Sequence, residues 1–171
     1  MHGTTRVLIE EQADALGIKL HTIFLPRDIS EEGYADRMAT FLQEDLDPAI
    51  RHVAFGDIFL QDVRRYREDN LARVGMKAVF PLWGQDTEDL ARRFIDLGFR
   101  AIVTCVDSQA LDGSFVGRTF DLEFLADLPP TVDPCGENGE FHTFVYDGPI
   151  FRRPIPFRKG ETVVREERFY Y

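Results

Sequence analysis

The chain has few cysteines and no long apolar run, and these absences exclude several kinds of protein. Its two cysteines, Cys105 and Cys135, lie thirty positions apart, and neither belongs to a Cys-x-x-Cys or Cys/His cluster, which argues against a zinc site. No apolar stretch approaches the roughly 18 residues that a membrane-spanning helix needs. The N-terminus also lacks the apolar segment of a signal peptide. We therefore predict a cytoplasmic protein that does not act in a membrane.

Positive charge is also scarce. The chain carries 20 basic against 30 acidic side chains, a net charge of -10. This balance opposes the electrostatic attraction on which binding to a phosphate backbone depends. Acidic residues are also interleaved with the basic residues of the one arginine-rich helical segment, Arg64 to Arg73. A nucleic acid is therefore not an expected partner.

What the sequence does contain is a regular alternation of helix and strand patterns. At 171 residues and 44% hydrophobic content it is long enough for one domain with a sizeable core. Helical patterns span residues 4–16, 30–46, 59–74 and 87–97, and strand patterns span residues 19–25, 52–58, 77–82 and 99–106. Such alternation predicts an α/β fold with a mostly parallel sheet and flanking helices.

The pattern changes after Asp107. A short helix is predicted at residues 120–128, and turn signals then separate three strand patterns at residues 141–146, 150–157 and 162–171. We therefore predict an α/β core over residues 1–128. A small antiparallel β extension over residues 129–171 belongs to the same structural unit.

The segment from Asp133 to Phe144 concentrates carboxylates, an amide, a histidine and two glycines just before an aromatic strand. Its Pro-Cys-Gly and Asn-Gly steps predict a turn, because glycine reaches positive φ without steric cost. Side chains alternate along the strand that follows, so Glu140 and His142 are predicted to share one side. From spacing alone, a glycine-rich hairpin with solvated acids explains the segment as well as a functional site does.

Four sequence blocks occur in the order seen in one enzyme family. They are Met1-His2-Gly3, VAFGDI at 53–58, FPLWGQDT at 80–87 and CGENGEFHTF at 135–144. Together they resemble the diphthine-ammonia ligase family, a branch of the N-type ATP pyrophosphatases, which are adenine nucleotide alpha hydrolase-like. The resemblance implies a HUP-like, Rossmann-like core and an ATP- and Mg²⁺-dependent ligase. Such a ligase adenylates a carboxylate acceptor, releases pyrophosphate, and lets ammonia displace AMP to leave an amide.

The chain departs from this family at its beginning. Relatives start with a strand and a Ser-Gly-Gly-Lys-Asp-Ser loop that cradles the nucleotide phosphates, and no equivalent is found here. The comparison implies that the first βαβ portion, with two N-terminal strands of the sheet, is missing. Either the start of the sequence is misplaced, or the chain is a truncated, noncatalytic nucleotide- or partner-binding module. A genuine short form needs a partner or a homodimer to cover the exposed sheet edges.

The resemblance implies roles for residues of each block. The expected catalytic residues are Glu137, Glu140 and His142, with Glu140 also the expected Mg²⁺ ligand and His142 a proton acceptor. The residues expected to bind ATP are Gly56, Asp57, Gly136, Asn138, Gly139 and Thr143. The residues expected to contact the acceptor are His2, Gly3, Trp83, Gly84, Asp86 and Arg118.

Ordinary structural roles compete with some of these predictions. Asp57 is also a good helix N-cap. A capping Asp86 with a packed Trp83 indole explains the FPLWGQDT block almost as well as a site does. A third interpretation, a sulfur-transfer enzyme acting on RNA, is opposed by the acidic charge and by the absence of a cysteine pair.

Overall fold

The computed structural model describes residues 3–26, 28–165 and 167–171. The chain folds as two compact units. The first contains the N-terminal segment up to Leu20 together with Asp86–Tyr171, and the second contains His21–Gln85. The predicted boundary between residues 128 and 129 lies within the first unit and stays a prediction.

Five α-helices and six strands form within the described ranges. The helices are α1 (Arg6–Leu16), α2 (Glu31–Thr40), α3 (Gln61–Arg73), α4 (Thr87–Asp96) and α5 (Leu122–Asp127), with a π-helical turn at Phe41–Asp45 and a 3-10 turn at Gly113–Phe115. The strands are β1 (His52–Ala54), β2 (Lys77–Val79), β3 (Arg100–Asp107), β4 (Phe141–Asp147), β5 (Val164–Arg165) and β6 (Phe169–Tyr170). All five helices lie where the apolar periodicity predicted them.

Side-chain caps set the start of helices α2 and α5. Ser30 Oγ accepts a hydrogen bond from the Gly33 N–H at 3.1 Å and begins α2. Asp121 begins α5 in the same way, through the Phe124 N–H at 2.9 Å. These caps satisfy N–H groups that have no partner inside the helix.

Two predicted strands are wrong. Residues 19–25 form no strand in spite of their β-forming composition, because they belong to neither of the sheets that the structure describes. Residues 150–157 are irregular because Pro154 and Pro156 have no N–H to donate to a ladder. The last predicted strand, 162–171, is instead the short hairpin of β5 and β6.

In the second unit, β1 and β2 pair in parallel, with His52 opposite Lys77 and Ala54 opposite Val79. Helix α3 connects them, so the segment is a β-α-β unit of the predicted kind. Leu71 of α3 and Met76 before β2 are buried.

The first unit holds a four-stranded sheet in the order β4-β3-β6-β5, and every pairing in it is antiparallel. Among the described strands, the predicted parallel pairing is therefore found only between β1 and β2. Strand β3 was expected to extend that sheet, but it is paired by β4 and β6. Periodicity predicts that a segment is a buried strand without specifying the direction of its neighbour.

Strand β3 is buried on both faces. Val103, Val106, Phe124 and Phe141 belong to the cluster on one face, and Ala15, Ile102, Phe144 and Ile155 form the cluster on the other. A register shift between Val103 and Cys105 interrupts the β3–β4 ladder. Within the described part of the chain, no helix is long and apolar enough to cross a membrane.

Candidate functional site

Two consecutive turns fold residues 133–140, which we call the site turn. The Gly136 N–H donates to the Asp133 carbonyl at 2.9 Å, and the Gly139 N–H donates to the Gly136 carbonyl at 3.0 Å. Gly136 has a φ of 67°, and a Cβ there would lie 2.8 Å from the Phe141 carbonyl oxygen. The site turn therefore requires glycine at position 136.

The carboxylate of Asp133 stabilises the site turn by accepting backbone hydrogen bonds. Its Oδ2 accepts hydrogen bonds from the Cys135 N–H at 3.1 Å and from the Glu137 N–H at 2.9 Å. Asp133 was not among the predicted site residues. The signal that could have found it is an aspartate directly before a Pro-x-Gly turn, where a carboxylate commonly accepts from the backbone two residues on.

Glu140 ends the site turn with a buried carboxylate, only 6% exposed. Its Oε1 accepts hydrogen bonds from the Asp133 N–H at 2.9 Å and from Asn138 Nδ2 at 3.0 Å. Its Oε2 is buried and has no hydrogen-bond partner among the residues that the structure describes. Such an atom is uncommon in folded proteins and is often found at functional sites. The turn thus fixes one oxygen of Glu140 and leaves the other able to accept a donor.

His142 and Thr143 follow in β4. His142 pairs with Cys105 across the ladder, and its carbonyl oxygen accepts a hydrogen bond from Thr104 Oγ1 at 3.3 Å. Thr143 is exposed. Gly3 lies against the same part of β3, because a Cβ on it would collide with the Thr104 carbonyl oxygen. The prediction for His2 falls outside the described residues.

Cys135 is half-buried in the site turn, and its Sγ donates to the Thr87 carbonyl at 3.3 Å. Burial is the main cause that raises the pKa of this thiol to about 12, and the carboxylates of Asp133, Glu137 and Asp86 contribute to the same shift. The thiol is therefore protonated at neutral pH and is not an activated nucleophile.

Asp86 lies near the site turn but is occupied as a helix cap. Its Oδ1 accepts from the Asp89 N–H at 2.9 Å at the start of α4, which confirms the capping alternative. A pocket of about 380 Å³ opens beside it, lined by the first turn of α4 on one side and by residues that include Leu125, Val132 and Pro134 on the other. Because Pro134 belongs to the site turn, pocket and turn are adjacent.

A second buried carboxylate lies beside the site turn. Asp107, at the end of β3 and 7% exposed, forms a two-point ion pair with Arg168 and accepts from the Gln109 N–H at 3.0 Å. The hydrogen bond from Arg168 is the main cause that lowers the pKa of Asp107. The Asp107 N–H donates to the Glu140 carbonyl at 2.9 Å, so this pair supports the end of the site turn.

The predicted residues of the second unit lie where β1 and β2 end. Gly56 and Asp57 follow β1, Trp83 and Gly84 follow β2, and the Gly84 N–H donates to the Ile58 carbonyl at 2.8 Å. The carboxyl ends of parallel strands are the usual ligand-binding edge of an open α/β sheet.

Two of these side chains already have partners. Asp57 accepts from Arg67 Nε at 2.6 Å and Nη2 at 3.2 Å, and α3 begins without a side-chain cap, so the capping alternative for Asp57 is wrong. Trp83 packs as the alternative proposed, with the Arg64 guanidinium 4.6 Å from its ring. Arg67 likewise stacks on an aromatic ring, with its guanidinium 4.5 Å from the centre of the Phe55 ring.

Arg118 belongs to the first unit and is engaged there. Its Nη2 donates to Asp127 at 2.8 Å, and its guanidinium lies 4.9 Å from the Phe115 ring.

Among the residues that the structure describes, no three His, Cys, Asp or Glu side chains are grouped so that they could hold a metal ion. Glu140 Oε2, the predicted ligand atom, could supply one oxygen to a metal ion.

Comparison with known proteins gives consistent matches. Residues 86–171 match the family described as Diphthamide synthase C-terminal domain. The chain is 32% identical to the human diphthine–ammonia ligase over 111 residues, which cover 61% of this chain and 42% of that protein. It is 34% identical to the rat diphthine–ammonia ligase over 121 residues, which cover 67% and 45%. The fission yeast (Schizosaccharomyces pombe) diphthine–ammonia ligase is 31% identical over 121 residues, which cover 68% and 20%. The chain thus spans less than half the length of these relatives.

Proposed function

Because the chain belongs to the family described as Diphthamide synthase C-terminal domain, we propose that it acts in an ATP-dependent ligase that joins ammonia to a carboxylate. The relatives are diphthine–ammonia ligases, so diphthine is the first acceptor to test. The observation that carries the proposal is the buried Glu140 carboxylate, which keeps Oε2 without a partner in the family motif.

The chemistry explains why such a carboxylate is useful. The acceptor carboxylate attacks the α-phosphorus of ATP, and pyrophosphate leaves. Ammonia then attacks the acyl carbon, AMP leaves with its electron pair, and one proton must be removed from the nitrogen. In our proposal Glu140 Oε2 accepts an N–H of the incoming ammonia and orients its lone pair, while His142 or Glu137 takes the proton.

Asn138 fits this role for Glu140. Its Nδ2 donates to Oε1, as does the Asp133 N–H. A carboxylate oxygen that already accepts two N–H groups is fixed in orientation, so the ligand is directed to Oε2.

We propose that glycines of the family blocks are open to a nucleotide phosphate, Gly56 in the second unit and Gly139 in the first. Around each of them, no described atom beyond its chain neighbours lies within 4 Å of where a Cβ would be, so a phosphate could approach the backbone. Asn138 and Thr143 are exposed and could contribute polar contacts. In this proposal, β1, α3 and β2 are a portion of a HUP-like core. A magnesium ion would be held mainly by the ATP phosphates, with Glu140 giving at most one oxygen.

A noncatalytic nucleotide- or partner-binding module is the second candidate. Its support is that Asp57 is already paired with Arg67. Calorimetry with MgATP, combined with an assay of pyrophosphate release, separates the two candidates. Binding of MgATP without pyrophosphate release would favour the module.

The decisive variant is Glu140→Gln. Glutamine keeps a carbonyl oxygen for the two N–H donors but puts an amide donor in place of the Oε2 acceptor. We expect amide formation to fall about 100-fold or more. If Glu140 also gives an oxygen to the magnesium ion of MgATP, Glu140→Ala should abolish pyrophosphate release as well. The control is Glu123→Gln in the exposed first turn of α5, which should retain activity. Unchanged turnover in Glu140→Gln would refute the role of Oε2.

A further inference from the structure

We propose that Asp133 is a positioning residue that keeps Glu140 in its working orientation. The assignment of a catalytic consequence rests on the proposed function, but the structural part does not. Asp133 acts twice on the same turn. Its backbone N–H donates to Glu140 Oε1, and its side-chain Oδ2 accepts from the Cys135 and Glu137 N–H groups.

The arrangement forms a closed loop of hydrogen bonds. The Asp133 carboxylate fixes the path of the chain from residue 133 to residue 137, and Glu140 reaches back over that path to the Asp133 N–H. Asn138 adds the second donor to the same Glu140 oxygen. Two backbone bonds, from Gly136 and Gly139, remain if the Asp133 carboxylate is removed. They would hold the turns, but the hydrogen bonds from the Cys135 and Glu137 N–H groups to Asp133 Oδ2 would be lost.

The orientation of the Glu140 carboxylate therefore depends on Asp133, although Oε2 belongs to Glu140. If the site turn loosens, the Asp133 N–H moves, and Oε1 and Oε2 become free to exchange positions. The defined acceptor at Oε2 would then be lost although Glu140 is intact.

Cys135 provides a reporter inside the same turn. Its thiol is half-buried and donates to the Thr87 carbonyl, so opening of the turn exposes it. The other cysteine, Cys105, is 1% exposed in the core and serves as an internal reference.

The experiment compares Asp133→Ala with Asp133→Asn. Both variants lose the negative charge, which by itself increases thiol ionisation at Cys135. Only alanine also loses the acceptor oxygen. Iodoacetamide alkylation at pH 8, with the modified cysteine located by peptide mass spectrometry, should be about 10-fold faster at Cys135 in the alanine variant than in the asparagine variant.

A cap elsewhere in the unit is the matched control. Asp121→Ala removes an aspartate that accepts a backbone N–H at the start of α5, and it should leave Cys135 alkylation unchanged. In a ligase assay, kcat should fall further in Asp133→Ala than in Asp133→Asn.

Equal alkylation rates at Cys135 in the two Asp133 variants would overturn the proposal. Equal kcat values would overturn its catalytic part. If alkylation follows the prediction while even the unmodified protein forms no amide, the positioning by Asp133 stands and the proposed function fails. The two failures are therefore distinguishable.

Discussion

Arg168→Met would remove the cation that pairs with the buried carboxylate of Asp107 while keeping an aliphatic stem at position 168. Asp107 is 7% exposed and takes two hydrogen bonds from the Arg168 guanidinium. Breaking a fully buried ion pair costs about 3–5 kcal/mol. The Arg168 side chain is 44% exposed, so water would partly replace it and solvent screens the pair. We therefore expect a smaller loss, about 2–3 kcal/mol.

For a chain of this size that loss corresponds to a fall of about 4–12 °C in Tm. The measurement is thermal unfolding at pH 7, followed by circular dichroism. Arg153→Met is the control, because Arg153 pairs with Glu11 and Asp14 at an exposed position. Exposed pairs contribute little to stability, so its Tm should remain close to that of the unmodified protein.

The pH dependence follows from the lowered pKa of Asp107. A carboxyl group with a lower pKa in the folded state stabilises the fold above its unfolded pKa, which is about 3.9. That stabilisation is lost as the pH falls through the folded value. The difference between Arg168→Met and the unmodified protein should therefore be full at pH 7 and shrink below about pH 4. An undiminished difference at pH 3, or equal Tm values for the variants of Arg168 and Arg153, would refute the reasoning.

Three further predictions concern the site turn and the core. Gly136→Ala should lower the free energy of unfolding in urea by about 1–3 kcal/mol, because Gly136 has a positive φ and a Cβ there would collide with the Phe141 carbonyl. Gly160→Ala is the control and should be nearly neutral, because there is open space around Gly160. Equal losses in the two variants would contradict this prediction. Alkylation of Cys135 should keep accelerating above pH 10, since its pKa is about 12; a plateau near pH 9 would show an ordinary thiol. Phe124→Ala should cost about 3–5 kcal/mol in urea unfolding, because the ring is fully buried, and a loss below 1 kcal/mol would show that the core around it is not closely packed.

The helices could be predicted from the sequence because their signals are local. The cap at Ser30 and the apolar spacing that follows it lie within α2 or directly before it. The strands were predicted less well because pairing is not local. Residues 19–25 have the composition of a strand but belong to neither described sheet, and β3 has antiparallel partner strands from segments far along the chain. The proline pair at 154 and 156 was a readable signal against a strand.

The site shows the same division. The turn itself could be predicted from its glycines, and the resemblance directed attention to Glu140 and Asn138. The hydrogen bond between those two side chains and the role of Asp133 could not be predicted, because they depend on how the turn closes on itself. The pairing of Asp57 with Arg67, ten residues later, likewise depends on the start of α3.

The central claim is that an acceptor carboxylate is adenylated before ammonia replaces AMP. The most direct test incubates the protein with ATP, Mg²⁺, ammonium chloride and diphthine whose carboxylate is labelled with ¹⁸O, and examines the AMP by mass spectrometry. An acyl-adenylate route transfers one labelled oxygen from the carboxylate to AMP and releases pyrophosphate. AMP without ¹⁸O, or release of ADP and phosphate in place of AMP and pyrophosphate, would contradict the proposed function.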